Sequence, residues 1–153
     1  MLSEDSFSKK PQGKQFVSAV VVAPNGHLLC QLRDNLPGII HPGCWTSFPG
    51  GSVEPNETPN EAIQREMKEE FNIEIKDIEF LTTFVLEGEF AGTYIIFIVK
   101  LASHISEVQC NEGQKVEFFS PKDALTLGQP GIPTRLLKKY ITKIESRAGV
   151  FRG

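Results

Sequence analysis

The segment that most restricts how this chain can fold is the helical pattern over residues 58–71, which is amphipathic and strongly acidic. Thr58 has the side chain of a helix N-cap, Pro59 suits the first helical position, and Glu61 completes a capping box. At about 100° per residue, three carboxylates then fall within an arc of roughly 100°: Glu66, Glu69 and Glu70. Like charges on adjacent turns repel one another, so the pattern indicates either a solvated acidic face or a site for a hard cation.

The loop before this helix bears on that choice. Gly50 and Gly51 stand where a backbone must turn tightly or approach a ligand closely. Glu57 follows in the same loop and precedes Arg65 by eight positions. A glycine-rich approach to an acidic helix favours the cation site, because hard cations take oxygen ligands and bind alongside phosphates.

Together these residues resemble the Nudix box, whose pattern is Gly, five residues, Glu, seven residues, then Arg-Glu-aliphatic-any-Glu-Glu-any-Gly-aliphatic. Here the pattern runs from Gly51 through Glu57 to the segment 65–73, and every charged and aliphatic position matches. Asn72 stands where the family has Gly. Asn is the usual substitute for Gly in a left-handed helix ending, so the turn is predicted to survive. On these residues the chain resembles the Nudix hydrolases, and the solvated-face hypothesis becomes the weaker one.

The resemblance implies a fold of the α+β class, a Nudix-type α/β/α sandwich with a mixed sheet between helices. It implies that box carboxylates act in catalysis and hold one or more Mg²⁺ or Mn²⁺ ions: Glu66, Glu69 and Glu70. The carbonyl of Gly50 is implied as a further metal ligand. Glu57 is implied to pair with Arg65 and, beside Gly51, to keep the loop and the ligands in position.

A catalytic base outside the box is frequent in the family. Glu112, just before the strand predicted over residues 116–119, lies about where such a loop Glu occurs. The alternative for Glu112 is an ordinary turn acid, because acids are common in loops. The sequence leaves open which carboxylate accepts the proton from the attacking water.

Two upstream residues are candidates for substrate binding. The segment over residues 33–38, which begins with Arg33, is predicted, together with Trp45, to line the pocket for the base or sugar. Trp45 has the aromatic face needed to stack on a base. A Trp packed in the core or on the sheet surface is the alternative, and the sequence does not separate the two.

The chain of 153 residues is predicted to form a flexible tail over 1–14 and a single domain over 15–153. The predicted strands cover residues 16–23, 27–33, 45–48, 78–87, 93–101 and 116–119. A tight hairpin turn is predicted at 24–26, a helical turn at 121–125 and a closing helix at 133–147.

The composition of the chain restricts the kinds of partner that we expect it to bind. A net charge of −3 gives no basic surface for nucleic acid, so no stable nucleic-acid partner is expected. Three cysteines without metal-binding spacing are interpreted as reduced thiols of a cytoplasmic protein: Cys30, Cys44 and Cys110. No apolar run reaches membrane-spanning length, so no membrane partner is expected. Formation of a homodimer is left open.

We therefore expect a hydrolase that cleaves a pyrophosphate bond in a small nucleotide, namely a nucleoside diphosphate linked to another moiety. A nucleoside triphosphate pyrophosphohydrolase of the housecleaning type is the first alternative. The second is a catalytically silent nucleotide-binding domain on the same fold, since fold does not fix function. It is the weaker hypothesis because silent members usually lose one of the box carboxylates, and all are present here.

Overall fold

The computed structural model describes residues 13–129 and 131–148. Most of the tail predicted over 1–14 lies outside these ranges, as do Pro130 and residues 149–153 of the predicted domain. The described strands are β1 Gln15–Val22, β2 Leu28–Leu32, β3 Trp45–Thr46, β4 Gly50–Ser52, β5 Ile75–Leu86, β6 Gly92–Leu101 and β7 Lys115–Phe119. The helices are α1 Pro59–Phe71, α2 Pro121–Ala124 and α3 Ile132–Ala148, with a 3-10 turn at Ile105–Glu107.

The strands form one seven-stranded mixed sheet with β1 near its centre. β1 runs parallel to β6 and antiparallel to both β2 and β4. β5 extends the sheet beyond β6, while β3 and β7 both pair with β2. The mixed sheet confirms the predicted α+β class.

Two apolar cores lie on opposite faces of this sheet, because alternate residues of β1 point to opposite sides. Val17, Ala19 and Val21 belong to the core that α1 covers. Val20 and Val22 belong to the core that α3 covers. Helices therefore cover both faces, and the predicted α/β/α sandwich is confirmed.

Local interactions fix both ends of α1. Thr58 accepts a hydrogen bond from the backbone of Glu61, and the Glu61 carboxylate accepts one from the Thr58 backbone, so the predicted capping box is present. At the other end Asn72 adopts the left-handed conformation, with φ 58° and ψ 37°, as predicted. Buried Ala62, Ile63, Met67 and Phe71 then hold the helix on the sheet.

Several boundaries differ from the prediction. The strand predicted over 45–48 keeps only Trp45–Thr46, and the strand predicted from 78 begins at Ile75. The sequence predicts a loop where β4 lies, because Gly-Gly-Ser has little intrinsic strand preference. Pairing with β1 makes this segment a strand. The hairpin predicted at 24–26 is confirmed by the Gly26 N–H, which donates to the Ala23 carbonyl at 2.9 Å.

Candidate active site

The glycine strand β4 brings the chain between β1 and α1. Gly50 lies opposite Ser18, and Gly51 lies opposite Val17 in the antiparallel pair. A Cβ atom at Gly50 would lie 1.9 Å from the Val17 carbonyl oxygen, and one at Gly51 would lie 2.4 Å from Oε1 of Glu66. A side chain at Gly50 would therefore collide with backbone, whereas one at Gly51 would displace the Glu66 carboxylate. The two glycines thus allow the backbone to pass directly beside a box carboxylate.

Arg65 connects the loop before the helix to the acidic face. Its Nε and Nη2 donate to the two carboxylate oxygens of Glu57 at 2.7 and 3.0 Å, so the expected pair is present. Nη2 also donates to the carbonyl of Ser52 at 2.9 Å. Nη1 donates to Oε1 of Glu66 at 3.1 Å and to Oε1 of Glu69 at 3.2 Å. The hydrogen bonds from Arg65 lower the pKa of the Glu57 carboxyl. They also orient the carboxylates of Glu66 and Glu69.

Adjacent carboxylates on α1 have very different surroundings. The Glu70 residue is 5% exposed, whereas the side chain of Glu66 is 13% exposed and that of Glu69 is 60% exposed. Burial raises the pKa of the Glu70 carboxyl far above its usual range, and hydrogen bonding with Glu66 and the charge of Glu112 add to this. Within the described residues, Glu70 has no ion pair with a basic side chain. A buried carboxylate that shares a cleft with other carboxylates in this way is stabilised in its ionised form by a bound cation.

The donor set fits a hard divalent cation, which prefers carboxylate and carbonyl oxygens. In residues 13–129 and 131–148, however, no three His, Cys, Asp or Glu side chains are already arranged to hold a metal ion. Arg65 accounts for part of this, because its Nη1 occupies oxygens of both Glu66 and Glu69. Only Oε1 of each carboxylate is bonded to Nη1, so a cation that takes these same two oxygens competes with Nη1, while the Arg65–Glu57 pair can remain.

Glu112 reaches this cleft from the loop before β7. Its carboxylate lies within hydrogen-bonding distance of that of Glu70. Its carbonyl accepts a hydrogen bond from the Gln31 amide at 3.0 Å. The loop acid predicted from its place in the sequence thus lies beside the box carboxylates, as a base for this site would.

Two adjoining clefts surround these side chains and share Gly50, Glu70 and Glu112. The larger, of about 540 Å³, is lined by Gly50, Gly51, Ser52, Glu54, Arg65, Glu66, Glu69, Glu70, Asn111 and Glu112. The smaller, of about 90 Å³, is lined by Gln31, Arg33, Asp34, Ile39, Gly50, Glu70, Glu112 and Gly113. The smaller cleft thus lies between the carboxylates and Arg33.

Arg33 and Trp45, the two predicted substrate-binding residues, lie in different places. Arg33 lines the smaller cleft, and its Nε donates to the Ile40 carbonyl at 2.8 Å, which orients the guanidinium. Trp45 packs against the core under α3, with its ring edge-on to Phe119 at 5.5 Å between centroids. It is not among the residues that line the two clefts, so the packing alternative for Trp45 is favoured.

Sequence reasoning missed several residues that line these clefts. Gln31 and Ile39 line the smaller one, and Asn111 lines the larger. Asp34 also lines the smaller cleft, but it lies in the segment that was predicted together with Arg33. Gln31 is buried in a strand, and nothing in its spacing distinguishes it from an ordinary strand residue. Asn111 directly precedes Glu112 in the sequence, and this neighbour is the only signal that could have found it.

Asn72, the departure from the box, permits a direct test by substitution with glycine. Asn72→Gly removes a small steric cost at positive φ but increases the freedom of the unfolded chain, so the free energy of unfolding should change by less than roughly 1 kcal/mol. The substitution also removes the hydrogen bond from the Asn72 amide to the Glu107 carbonyl, which is long at 3.5 Å. We expect kcat to stay within about threefold. A tenfold rise in KM at constant kcat would instead make Asn72 a substrate-binding residue.

A protein-family model described as the NUDIX domain matches residues 14–139. The chain therefore belongs to the Nudix family, whose hydrolases generally need divalent metal ions. In the part of the chain that the structure describes, no helix combines the length and the apolar character needed to cross a bilayer.

Two curated relatives resemble the chain in sequence, and each is named 8-oxo-dGTP diphosphatase. The protein from Proteus vulgaris is 44% identical over 61 residues, which are 37% of this chain and 54% of the relative. The protein from Haemophilus influenzae is 33% identical over 98 residues, 63% of this chain and 70% of the relative. The chain thus spans about half the length of the first relative and more of the second.

Solved structures show the same fold. The E. coli ORF135 protein superposes with a TM-score of 0.65 at 23% identity, covering 92% of this chain and 94% of that one. A C. elegans Ap4A hydrolase superposes with a TM-score of 0.68 at 22% identity, covering 88% and 99%. At these identities the likeness concerns the fold alone.

Proposed function

We propose that this chain is a divalent-metal-dependent pyrophosphohydrolase that converts a nucleoside triphosphate and water into a nucleoside monophosphate and pyrophosphate. The observation that carries the proposal is the convergence of Glu66, Glu70 and Glu112 beside a strand whose glycines let its backbone pass next to the Glu66 carboxylate. Ionised carboxylates repel phosphate, so a cation is needed between the site and the substrate. The net charge of the whole chain, −3, is consistent with this, because the chain has no excess of basic groups to attract phosphate.

The residues divide the chemistry among them. Glu66, Glu69 and Glu70, with the Gly50 carbonyl, would hold Mg²⁺ or Mn²⁺. Such a cation, when bound, neutralises phosphate oxygens and lowers the pKa of coordinated water. Positioning of the ligands, proton transfer and phosphate binding are assigned to five further residues: Arg65, Glu57, Gly51, Glu112 and Arg33.

Arg65 and Glu57 keep the loop against the helix, and the missing side chain at Gly51 leaves Glu66 in place. Glu112 would accept the proton of the attacking water, since it reaches the cleft from a separate loop and is exposed enough to exchange that proton with solvent. Arg33 would donate to the part of the phosphate chain that enters the smaller cleft.

The choice of triphosphate over a nucleoside diphosphate linked to another moiety is supported by the curated relatives. Both carry the name 8-oxo-dGTP diphosphatase. This favours the nucleoside triphosphate pyrophosphohydrolase, which the sequence offers as the first alternative. It leaves the reaction class unchanged, because both substrates are split at a pyrophosphate bond.

A substrate panel with product identification tests the proposal. Normal and oxidised triphosphates, nucleotide sugars, ADP-ribose and dinucleoside polyphosphates would be compared at equal concentration, with products resolved by chromatography. We expect kcat/KM to be highest for a triphosphate, with monophosphate and pyrophosphate released together. Highest efficiency on a nucleotide sugar or ADP-ribose would refute the triphosphate assignment. Turnover of none of them would favour the silent nucleotide-binding domain. A Glu66→Gln preparation purified identically controls for contaminating phosphatases.

We predict that turnover disappears when a chelator removes divalent ions and returns on addition of Mg²⁺ or Mn²⁺. The physical reason is that the cleft alone presents negative charge to an anionic substrate. Products would be measured directly, so that no coupling enzyme needs metal. Undiminished turnover in excess chelator would refute the metal assignment.

We also propose a cytoplasmic location, with a small nucleotide rather than nucleic acid as the partner. Cys30, Cys44 and Cys110 are all free, which suits a reducing compartment. Whether the chain forms a homodimer is a matter for measurement of its mass in solution.

A further inference from the structure

The C-terminal end of α1 has an unusual set of hydrogen-bond partners. The last carbonyls of a helix have no intrahelical donors and are satisfied by turns, side chains or water. The Lys68 carbonyl accepts from the N–H of the left-handed Asn72 at 3.0 Å. The remaining carbonyls, of Glu69, Glu70 and Phe71, all accept from one distant segment, residues 109–111.

Asn111 makes two of these hydrogen bonds. Its backbone N–H donates to the Glu70 carbonyl at 2.9 Å. Its side-chain amide donates to the Glu69 carbonyl at 3.0 Å. Gln109 adds the third hydrogen bond, from its backbone N–H to the Phe71 carbonyl at 2.8 Å. The segment is therefore attached to the helix turn that carries two of the box carboxylates.

The residue that follows this attachment is Glu112, and its freedom is limited on both sides. Asn111 holds the chain before it, while the Gln31 amide holds the Glu112 carbonyl at 3.0 Å. Gly113, with φ 88°, turns the chain immediately afterwards into β7. The backbone at Glu112 thus has little freedom to move away from α1, and this limits the positions that its carboxylate can reach.

We propose that Asn111 is a positioning residue for the hydrolysis: by binding the end of α1 it fixes the Glu112 carboxylate against the box carboxylates. The inference rests on the proposed function for the role of Glu112. Asparagine suits this task because its short amide donates to a carbonyl from an adjacent residue. Aspartate has the same shape but presents an acceptor to an acceptor, and alanine presents nothing.

The test compares Asn111→Ala and Asn111→Asp with Gln109→Ala. The last is a matched control, because Gln109 lies in the same loop and its backbone N–H remains. We expect kcat to fall by at least about tenfold in both Asn111 variants, with KM within about threefold and the thermal midpoint close to wild type. Gln109→Ala should behave as wild type. An Asn111→Asp protein that keeps its kcat would overturn the inference, as would equal losses in Gln109→Ala.

A metal titration keeps this test separate from the proposed function. Mn²⁺ alone would be titrated into each protein without substrate and followed by its paramagnetic resonance signal. Glu112 is not assigned as a ligand, but its carboxylate beside Glu70 adds negative charge next to the bound cation. We therefore expect the dissociation constant for Mn²⁺ to rise at least about tenfold in Asn111→Ala but not in Gln109→Ala. If no nucleotide is hydrolysed by the wild type, the proposed function fails. Equal Mn²⁺ affinities in wild type and Asn111→Ala would then overturn the positioning role as well.

Discussion

Glu70→Gln is expected to lower kcat by at least about a hundredfold while the protein remains folded. Glu70 is the most buried of the box carboxylates and lies within hydrogen-bonding distance of both Glu66 and Glu112. Its replacement by a neutral amide removes negative charge from the point where the two clefts meet. A cation held there would lose its most enclosed oxygen ligand.

Although Glu70→Gln lowers kcat, it should leave the thermal stability unchanged or raise it. A buried carboxylate without a cation has to be protonated or remain ionised at a cost, whereas glutamine is neutral and of similar volume. In chelator at neutral pH, the thermal midpoint of Glu70→Gln should therefore equal or exceed that of the wild type. Glu74→Gln is the matched control, because its carboxylate is exposed and, among residues 13–129 and 131–148, is bonded only to Lys68. A folded Glu70→Gln protein that keeps more than about a third of kcat would show that Glu70 is not a ligand.

The features of α1 that could be predicted from the sequence are those that local interactions determine. The start of α1 follows from Thr58, Pro59 and Glu61, which interact within one turn of helix. Its end follows from Asn72, whose left-handed conformation is a property of residue type. The Glu57–Arg65 pair could be expected for a different reason, since the family resemblance supplied it.

The different burial of the box carboxylates could not be predicted in the same way. Helical spacing puts Glu69 and Glu70 on one face, yet one side chain is largely exposed and the other residue is buried. The difference arises because β4 and the loop before β7 cover the Glu70 side of that face. Both segments are brought there by pairing with distant strands, β4 with β1 and β7 with β2.

Long-range packing also determines where the ring of Trp45 lies. An aromatic residue near a glycine-rich loop fits the pattern of a base-stacking residue as well as that of a core residue. The pairing of Trp45 with Leu32 in the sheet directs its ring toward the core under α3, where Phe119 contacts it. Which face of a sheet a residue occupies depends on register, and a shift of one position reverses it.

Substitution of the two glycines of β4 separates the role of this strand in folding from its role at the site. A Cβ atom at Gly50 would meet backbone, the Val17 carbonyl oxygen at 1.9 Å and the Ser18 Cα at 2.6 Å. Backbone in the centre of a sheet cannot retreat, so Gly50→Ala should destabilise the protein by several kcal/mol, about 3 or more. We expect this variant to be largely insoluble or unfolded.

Gly51→Ala should instead fold and lose activity. Its Cβ atom would meet only the carboxylate end of Glu66, at 2.4 to 2.7 Å, and a flexible side chain can move aside. We expect a loss of about 1 to 2 kcal/mol in the free energy of unfolding, because overpacking is partly relieved. The displaced carboxylate should lower kcat by about a hundredfold or more, since ligand position decides the rate.

A double-mutant cycle with Glu66→Ala identifies the clash. If the cost of Gly51→Ala arises from the Glu66 carboxylate, most of it should vanish in the Glu66→Ala background, giving an interaction energy of about 1 kcal/mol. The free energy of unfolding would be measured for all four proteins by denaturant titration in chelator. An undiminished cost in that background would mean that the methyl group introduced at position 51 meets some other group. A Gly51→Ala enzyme with wild-type kcat would mean that Glu66 can leave its place without consequence, and Glu66 would then have no part in binding the metal.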